Sequence, residues 1–254
     1  MNWLLQLLAS KSGIIVSALV ALMVLERAFP MARVRSNIIR LMRNFSLAGL
    51  NALLGPLIVI PITVYAAGFA LQWRPEWWSG WFGLAIDLLI LDCWIYFWHR
   101  LNHKLPFLWR FHEVHHLDEN LDASSALRFH FGEVVISSLV RAIVIFLLSV
   151  PIKSVLVFET LVTLAAIFHH SNIRLPQQLE KLLALIIVTP SIHWVHHHAL
   201  RRDTDSNYST ILSIWDRLFG SVSLGTRESE MLIGVEGLQE QSLLRLILRP
   251  FYKA

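Results

Sequence analysis

The chain has 254 residues, of which 55% are hydrophobic and only 16% charged, with a net charge of +4. Soluble domains carry about a quarter charged residues, so this composition excludes an ordinary soluble domain and points to the bilayer as solvent. A single cysteine, Cys93, excludes a disulfide framework, a thiolate zinc site and an iron-sulfur cluster built from this chain alone, so any metal must take histidine or oxygen ligands.

A spanning helix needs roughly 20 mostly apolar residues, and GIIVSALVALMVLERAF, from Gly13, nearly meets that before Glu26 and Arg27 interrupt it. The start MNWLLQLLAS lacks a positive n-region, and the run ends in Glu-Arg-Ala-Phe-Pro rather than a small-residue cleavage site. It therefore reads as a first span, about 13–30, rather than a signal peptide. Arg33, Arg35, Arg40 and Arg43 then alternate with Val34, Ile38, Ile39, Leu41, Met42 and Phe45, the pattern of an amphipathic segment at the interface.

A second apolar stretch covers about 45–71, where Pro56 and Pro61 predict a tilt, a kink or a re-entrant hairpin. Trp73, Trp77, Trp78 and Trp81 form an interfacial belt before the third stretch, about 81–98. Two more, about 134–150 and 154–169, join so tightly at Pro151 that they read as a helical hairpin. The chain after 171 is more polar, although Leu179 to Val188 is apolar enough to lie on or dip into the membrane.

The arginines after the first span outnumber Arg74 in the loop after the second, so the positive-inside rule puts the former in the cytoplasm. Alternating from there, all twelve histidines fall at or beyond the cytoplasmic ends of spans. The predicted architecture is an all-α, integral-membrane bundle of four to five spans. It forms a single domain over 1–254, with cytosolic metal-binding segments at 99–133 and 170–254.

Three histidine clusters share one spacing logic. In DCWIYFWHRLNH, Asp92, Tyr96, His99 and His103 are four, three and four residues apart, which stacks them on one helix face. Asp92 inside an apolar span costs on the order of 2.5 to 3.5 kcal/mol on insertion scales, so it needs a partner or a function. Asp87 raises the same question but lies off this face.

His112, His115 and His116 sit at i, i+3 and i+4, and His193, His196 and His197 repeat that spacing. Any one histidine is more often a satisfied polar side chain than a ligand, but an HxxxH followed by two HxxHH clusters is not explained that way. A tetrahedral structural zinc takes four ligands and a catalytic one about three, so eight histidines fit two metals. Imidazole suits iron, copper, nickel and zinc, and ligand type leaves the ion open.

With these boxes the sequence resembles the fatty acid hydroxylase and sterol desaturase superfamily. The matching residues are Asp92, Tyr96, His99, Arg100 and His103; Trp109, His112, His115 and His116; and His193, His196 and His197. Glu26 to Pro30, Arg128-Phe129-His130 with Glu133, His170-Ser171-Asn172, Asp205 to Tyr208 and Trp215 to Gly220 extend it over about 26–220. Phe131 follows His130 where the family commonly has proline, and Ser209 follows Tyr208 where a glycine is frequent. The three residues inside the first box are like those of sterol desaturases and alkylglycerol monooxygenases.

The resemblance implies a diiron centre that uses O2 to hydroxylate or desaturate a lipid of sterol, fatty acyl or alkylglycerol type. It implies His170 as a further ligand between the second and third boxes. His169 lies about 100° around a helix from it and is assigned a supporting role; His130 is a weaker ligand candidate. His198 falls off the HxxHH face and is expected to meet solvent or a hydrogen bond. Because a ligating imidazole usually donates its other N–H to a carboxylate or carbonyl, Asp92, Glu113, Asp205 and Asp216 are expected around the metals. Tyr96 and Asn207 join them as support, and Tyr208 is expected to hold its loop against the site.

The lipid is expected to enter sideways from the bilayer. No GxGxxG or flavin fingerprint is present, so electrons are expected from a separate ferredoxin, cytochrome b5-like protein or flavin reductase, with Arg201 and Arg202 as possible contacts. No nucleic-acid partner is expected. The competing readings are a membrane zinc-dependent hydrolase, which would need a Glu base as in HExxH, and a histidine-lined metal transporter, whose ligands should lie near the bilayer midplane.

Overall fold

The structure, a computed structural model, describes the backbone of residues 2–33 and 37–252 and the side chains from residue 10 onward within those ranges. Its long helices are α1 (Asn2–Ala28), α2 (Ile38–Gly68), α3 (Gly80–Lys104), then the shorter α4 (Pro106–His116), and α5 (Phe131–Leu148) and α6 (Ile152–His170). Short helices follow: α7 (Gln177–Ala184), α8 (Pro190–His196), α9 (Arg201–Thr204), α10 (Ile214–Leu218) and α11 (Leu243–Leu248). Among the described residues there is no strand, only three isolated bridges. The all-α expectation holds.

Among the described residues, four helices, α2, α3, α5 and α6, are long and apolar enough to cross a membrane. Their outward faces fit lipid: Leu53 and Leu57 of α2 are 67% and 68% exposed, an unfavourable arrangement in water. The stretch expected as a first span lies in α1, which packs against α6 and the 3-10 turn Ala123–Leu127 through Leu19, Ala123, Ala126 and Ile167. A second core, between α2, α3, α5 and α6, is formed by Ala66, Leu91, Ile145, Val150, Val155 and Phe158.

Pro56 and Pro61 do not break α2, which runs as one helix of 31 residues, and the re-entrant alternative is not adopted. Spanning helices tolerate internal proline because neighbouring groups absorb the lost hydrogen bonds. The turn between α5 and α6 is as tight as expected: Ser149 adopts a left-handed φ of 50° as the C-cap of α5, and Pro151 precedes α6.

The amphipathic reading of 33–45 needs correction. Residues 34–36, with Val34 and Arg35, lie outside the described residues; Asn37 caps α2, its side chain accepting from the amides of Ile39 and Arg40. Arg40 is buried rather than interfacial. Its Nε donates to Asp118 Oδ1 at 2.5 Å, Nη1 to Asp122 Oδ2 at 2.5 Å and Nη2 to Ser125 Oγ at 2.8 Å. Asn44, one turn on, donates to Asp118 and Ser124, so the start of α2 is keyed into the segment after α4.

Asp87 also has partners. It pairs with Arg74 and accepts from Trp78 Nε1 at 3.1 Å and Ser154 Oγ at 2.6 Å. This closes the end of the bundle opposite the histidines.

Candidate metal centre

Pro106 cannot continue α3, and at the first position of α4 it presets the next helix. The chain therefore turns back at once, and His112, His115 and His116 face His99 and His103. Pro190 opens α8 in the same way, with His193 and His196 on the helix and His197 at its C-cap. His170 ends α6.

Nine histidines from these four elements converge in two groups. His99, His103, His112, His116 and His196 each offer a ring nitrogen within 4.8 Å of the others, and His115, His170, His193 and His197 do the same. All nine are buried. They are the nine that the boxes and the resemblance nominate, and the second and third boxes each divide between the two groups, with His115 separated from His112 and His116, and His196 from His193 and His197.

The ring nitrogens have defined directions. His99 Nδ1 donates to the Tyr208 carbonyl at 2.8 Å, His196 Nδ1 to the Ser206 carbonyl at 2.7 Å and His112 Nδ1 to Glu133 Oε1 at 2.8 Å. In the other group His115 Nδ1 donates to the Arg128 carbonyl at 3.2 Å and His170 Nδ1 to the Ala166 carbonyl at 2.7 Å. Each such bond places the proton on Nδ1 and leaves Nε2 as a lone pair directed inward.

This arrangement fits a metal. The Nε2 atoms of His99, His103, His112 and His196 are buried with no hydrogen-bond partner, a costly state for a protein alone. His115 and His170 both donate through Nδ1, yet their Nε2 atoms face each other at 3.0 Å, as do those of His170 and His193; His193 and His197 are at 3.1 Å. For His115 and His170, whose protons sit on Nδ1, the facing Nε2 atoms are both lone pairs, which repel unless a cation lies between them.

Burial, reinforced by neighbouring imidazoles, holds His115, His116, His193, His196 and His197 well below the usual imidazole range. They are thus kept neutral, the state a metal ligand requires.

The remaining histidines lie outside both groups. His130 caps α5: its Nδ1 accepts from the Gly132 amide at 2.9 Å and its Nε2 donates to the Ile247 carbonyl at 2.9 Å, so both nitrogens are committed. His169 packs against His193 with ring centroids 3.9 Å apart and the rings tilted by 41°. His198 bonds Asp203 Oδ2 at 2.7 Å, as its place off the helix face suggests.

The acids need more revision. Asp92 touches no histidine; it accepts from the amides of Ile211 and Leu212 and from Trp215 Nε1 at 2.7 Å. Glu113 is held by Arg249 at 2.5 Å, and Asp216 accepts from the amides of Tyr208 and Ser209. Asp205 alone of the four approaches an imidazole, 3.6 Å from His103 Nδ1, while pairing with Lys104 and Arg201.

Tyr96 bonds Ser221 Oγ at 2.8 Å, and Asn207, at a left-handed φ of 51°, ties its loop to Ile192 and Ser223. These residues shape the wall that delivers the Ser206 and Tyr208 carbonyls to His196 and His99. Arg201 and Arg202 are both exposed, but Arg201 donates to the His103 carbonyl and covers the Trp109 ring at 4.4 Å, while Arg202 lies 3.8 Å from Asp203 Oδ2.

The carboxylate that spacing does not reveal is Glu133, in the first turn of α5. Its Oε1 accepts from both His112 and Asn102 Nδ2. Glu133→Ala is expected to weaken metal binding about 10- to 100-fold, with Glu133→Gln recovering part because its amide oxygen still accepts from His112. Competition against a chelator measures this; equal affinity in wild type and Glu133→Ala would show that His112 needs no anchor.

A fatty acid hydroxylase family model matches residues 84–221. Among curated proteins, the ornithine lipid hydroxylase OlsE of Rhizobium tropici is 29% identical over 77% of this chain and 58% of its own length. Alkylglycerol monooxygenase of Homo sapiens is 30% identical over 60% of this chain and 32% of its own. A cholesterol 25-hydroxylase-like protein of Danio rerio is 30% identical over 55% of each. The chain thus spans between 32% and 58% of the length of these relatives. No solved structure matches it.

Proposed function

This chain belongs to the fatty acid hydroxylase family, and on that premise we propose that it is a membrane-bound diiron oxygenase that hydroxylates a C–H bond of a lipid with O2 and external electrons. The observation that carries the proposal is the pair of buried groups, five and four histidines, whose ring nitrogens converge, with unpartnered Nε2 atoms in the first and Nε2 atoms 3.0–3.1 Å apart in the second. His99, His103, His112, His116 and His196 would hold one ion, and His115, His170, His193 and His197 the other. Zinc has no redox chemistry, whereas imidazole also suits iron. When bound, the iron pair supplies the O2 activation that breaks an unactivated C–H bond.

The chain's own residues do the rest. The Nδ1–H bonds to Tyr208, Ser206, Arg128, Ala166 and Glu133 fix ring orientation and leave Nε2 available. Burial excludes water from a site where a strong oxidant would otherwise be quenched. The relatives are hydroxylases and monooxygenases of an ornithine lipid, an alkylglycerol and cholesterol, which favours hydroxylation over desaturation and a lipid with a long apolar part. A separate electron-transfer protein is the proposed donor, and a cytoplasmic histidine face is proposed from the arginine bias of the sequence.

The hydrolase alternative lacks its base, because Glu113, the acid of the second box, is bound to Arg249. Isotopically labelled O2 separates the two readings. Label from O2 in a lipid alcohol is the expected result; label entering only from water would overturn the proposal.

A further inference from the structure

Asp92 is a carboxylate near the middle of a spanning helix, and the metal groups do not use it. It lies six residues before Trp98, after which α3 turns to His99 and Arg100, a distance of about 9 Å along a helix axis. Its three partners, the amides of Ile211 and Leu212 and the indole of Trp215, are therefore held about 9 Å below the level at which α3 turns polar.

The same segment is laced to the end of α7. The Val188 amide donates to the Ile211 carbonyl at 2.9 Å, the Ser213 amide to Ile186 at 3.1 Å, Ser213 Oγ to Ala184 at 2.8 Å and Arg217 Nη2 to Leu185 at 2.6 Å. The irregular backbone is thus satisfied internally, the condition under which non-helical chain is tolerated at membrane depth.

What this elbow turns outward is apolar. Leu182, Leu185, Ile186 and Leu218 are each more than 60% exposed. The patch is continuous with the lipid-facing side of α3, since the Phe219 ring lies 4.8 Å from that of Phe97, itself 41% exposed. A depth of about 9 Å matches the 5–10 Å at which interfacial elements seat in the headgroup and acyl boundary.

We propose that residues 179–188 and 211–219 form a membrane-inserted elbow, pinned to α3 by Asp92, whose occupant is the lipid leaflet on the histidine side. This rests on the membrane reading of α3 and not on the metal or the reaction, so the two proposals fail separately.

Spin labels test it in the full chain reconstituted in phosphatidylcholine nanodiscs. With the sole cysteine removed by Cys93→Ala, labels enter through Leu185→Cys and Leu218→Cys. Leu53→Cys on α2 serves as the lipid control and Leu232→Cys, at a 74% exposed position outside the apolar helices, as the aqueous one. Labels at 185 and 218 should match 53, with a ratio of O2 to water-soluble nickel-chelate accessibility several-fold above that at 232. A ratio like that at 232 would overturn the proposal, and so would exclusion of both probes, which would mean that protein, such as a second copy, covers the patch.

Discussion

Replacing His196 by alanine is expected to abolish lipid oxidation and to remove one of the two bound metals, while His198→Ala leaves both activity and metal content near wild type. The two residues are two positions apart in a run of histidines, so composition and charge change equally. The difference lies in direction. His196 is buried, donates through Nδ1 to Ser206 and points a free Nε2 into the five-histidine group. His198 has turned off that face and bonds Asp203. Metal content and turnover measured together check this, and equal losses from both substitutions would mean that the helix faces are misassigned.

The second large effect falls on stability. Arg40→Ala leaves Asp118 and Asp122 buried without their cation, and breaking a buried pair of this kind costs about 3–5 kcal/mol. Burial pushes the Asp118 carboxyl up, but the Arg40 and Arg128 guanidiniums, with hydrogen bonds from Arg40 and Ser125, together outweigh it and hold the group at about 2. Asp118 lies two residues after His116, so the loss should reach the second histidine box. A large drop in the thermal midpoint in detergent, with weaker metal retention, is expected. Arg33→Ala, at an exposed position, should stay within about 0.5 kcal/mol of wild type. Similar midpoints for the two variants would remove Arg40 from this role.

The site was legible in the sequence where it depends on local geometry. The i, i+3, i+4 and HxxxH spacings are helical, so the face that His99 shares with His103, or His112 with His116, follows from the spacing alone. His170 needed the family resemblance, since two adjacent histidines give no face of their own. The surrounding acids were less legible because their partners come from distant parts of the chain. Asp92 shares a face with His99, but spacing along α3 does not show that residues 211–215 lie against it. Glu133, 21 residues from His112, carries no local signal, and carbonyls such as that of Tyr208 carry none at all.

The fold follows the same division. Four apolar stretches became helices at nearly the expected positions because apolar length is a local property. Arg40 read as interfacial because its neighbours in sequence are those of an amphipathic segment, whereas Asp118 and Asp122, about 80 residues away, decide where it goes. Pro56 and Pro61 mark a weakness in α2, yet the helix continues through both and packs along α5, a partner about 80 residues away that the local sequence does not reveal.

The most direct test of the two-group centre is metal analysis of protein purified without oxygen, read together with lipid-dependent O2 uptake in the presence of a reductant. About two irons per chain, with O2 uptake that depends on lipid, is the predicted result, given five donors in one group and four in the other. A single ion per chain, or protein whose lipid turnover proceeds with zinc and consumes no O2, would contradict it.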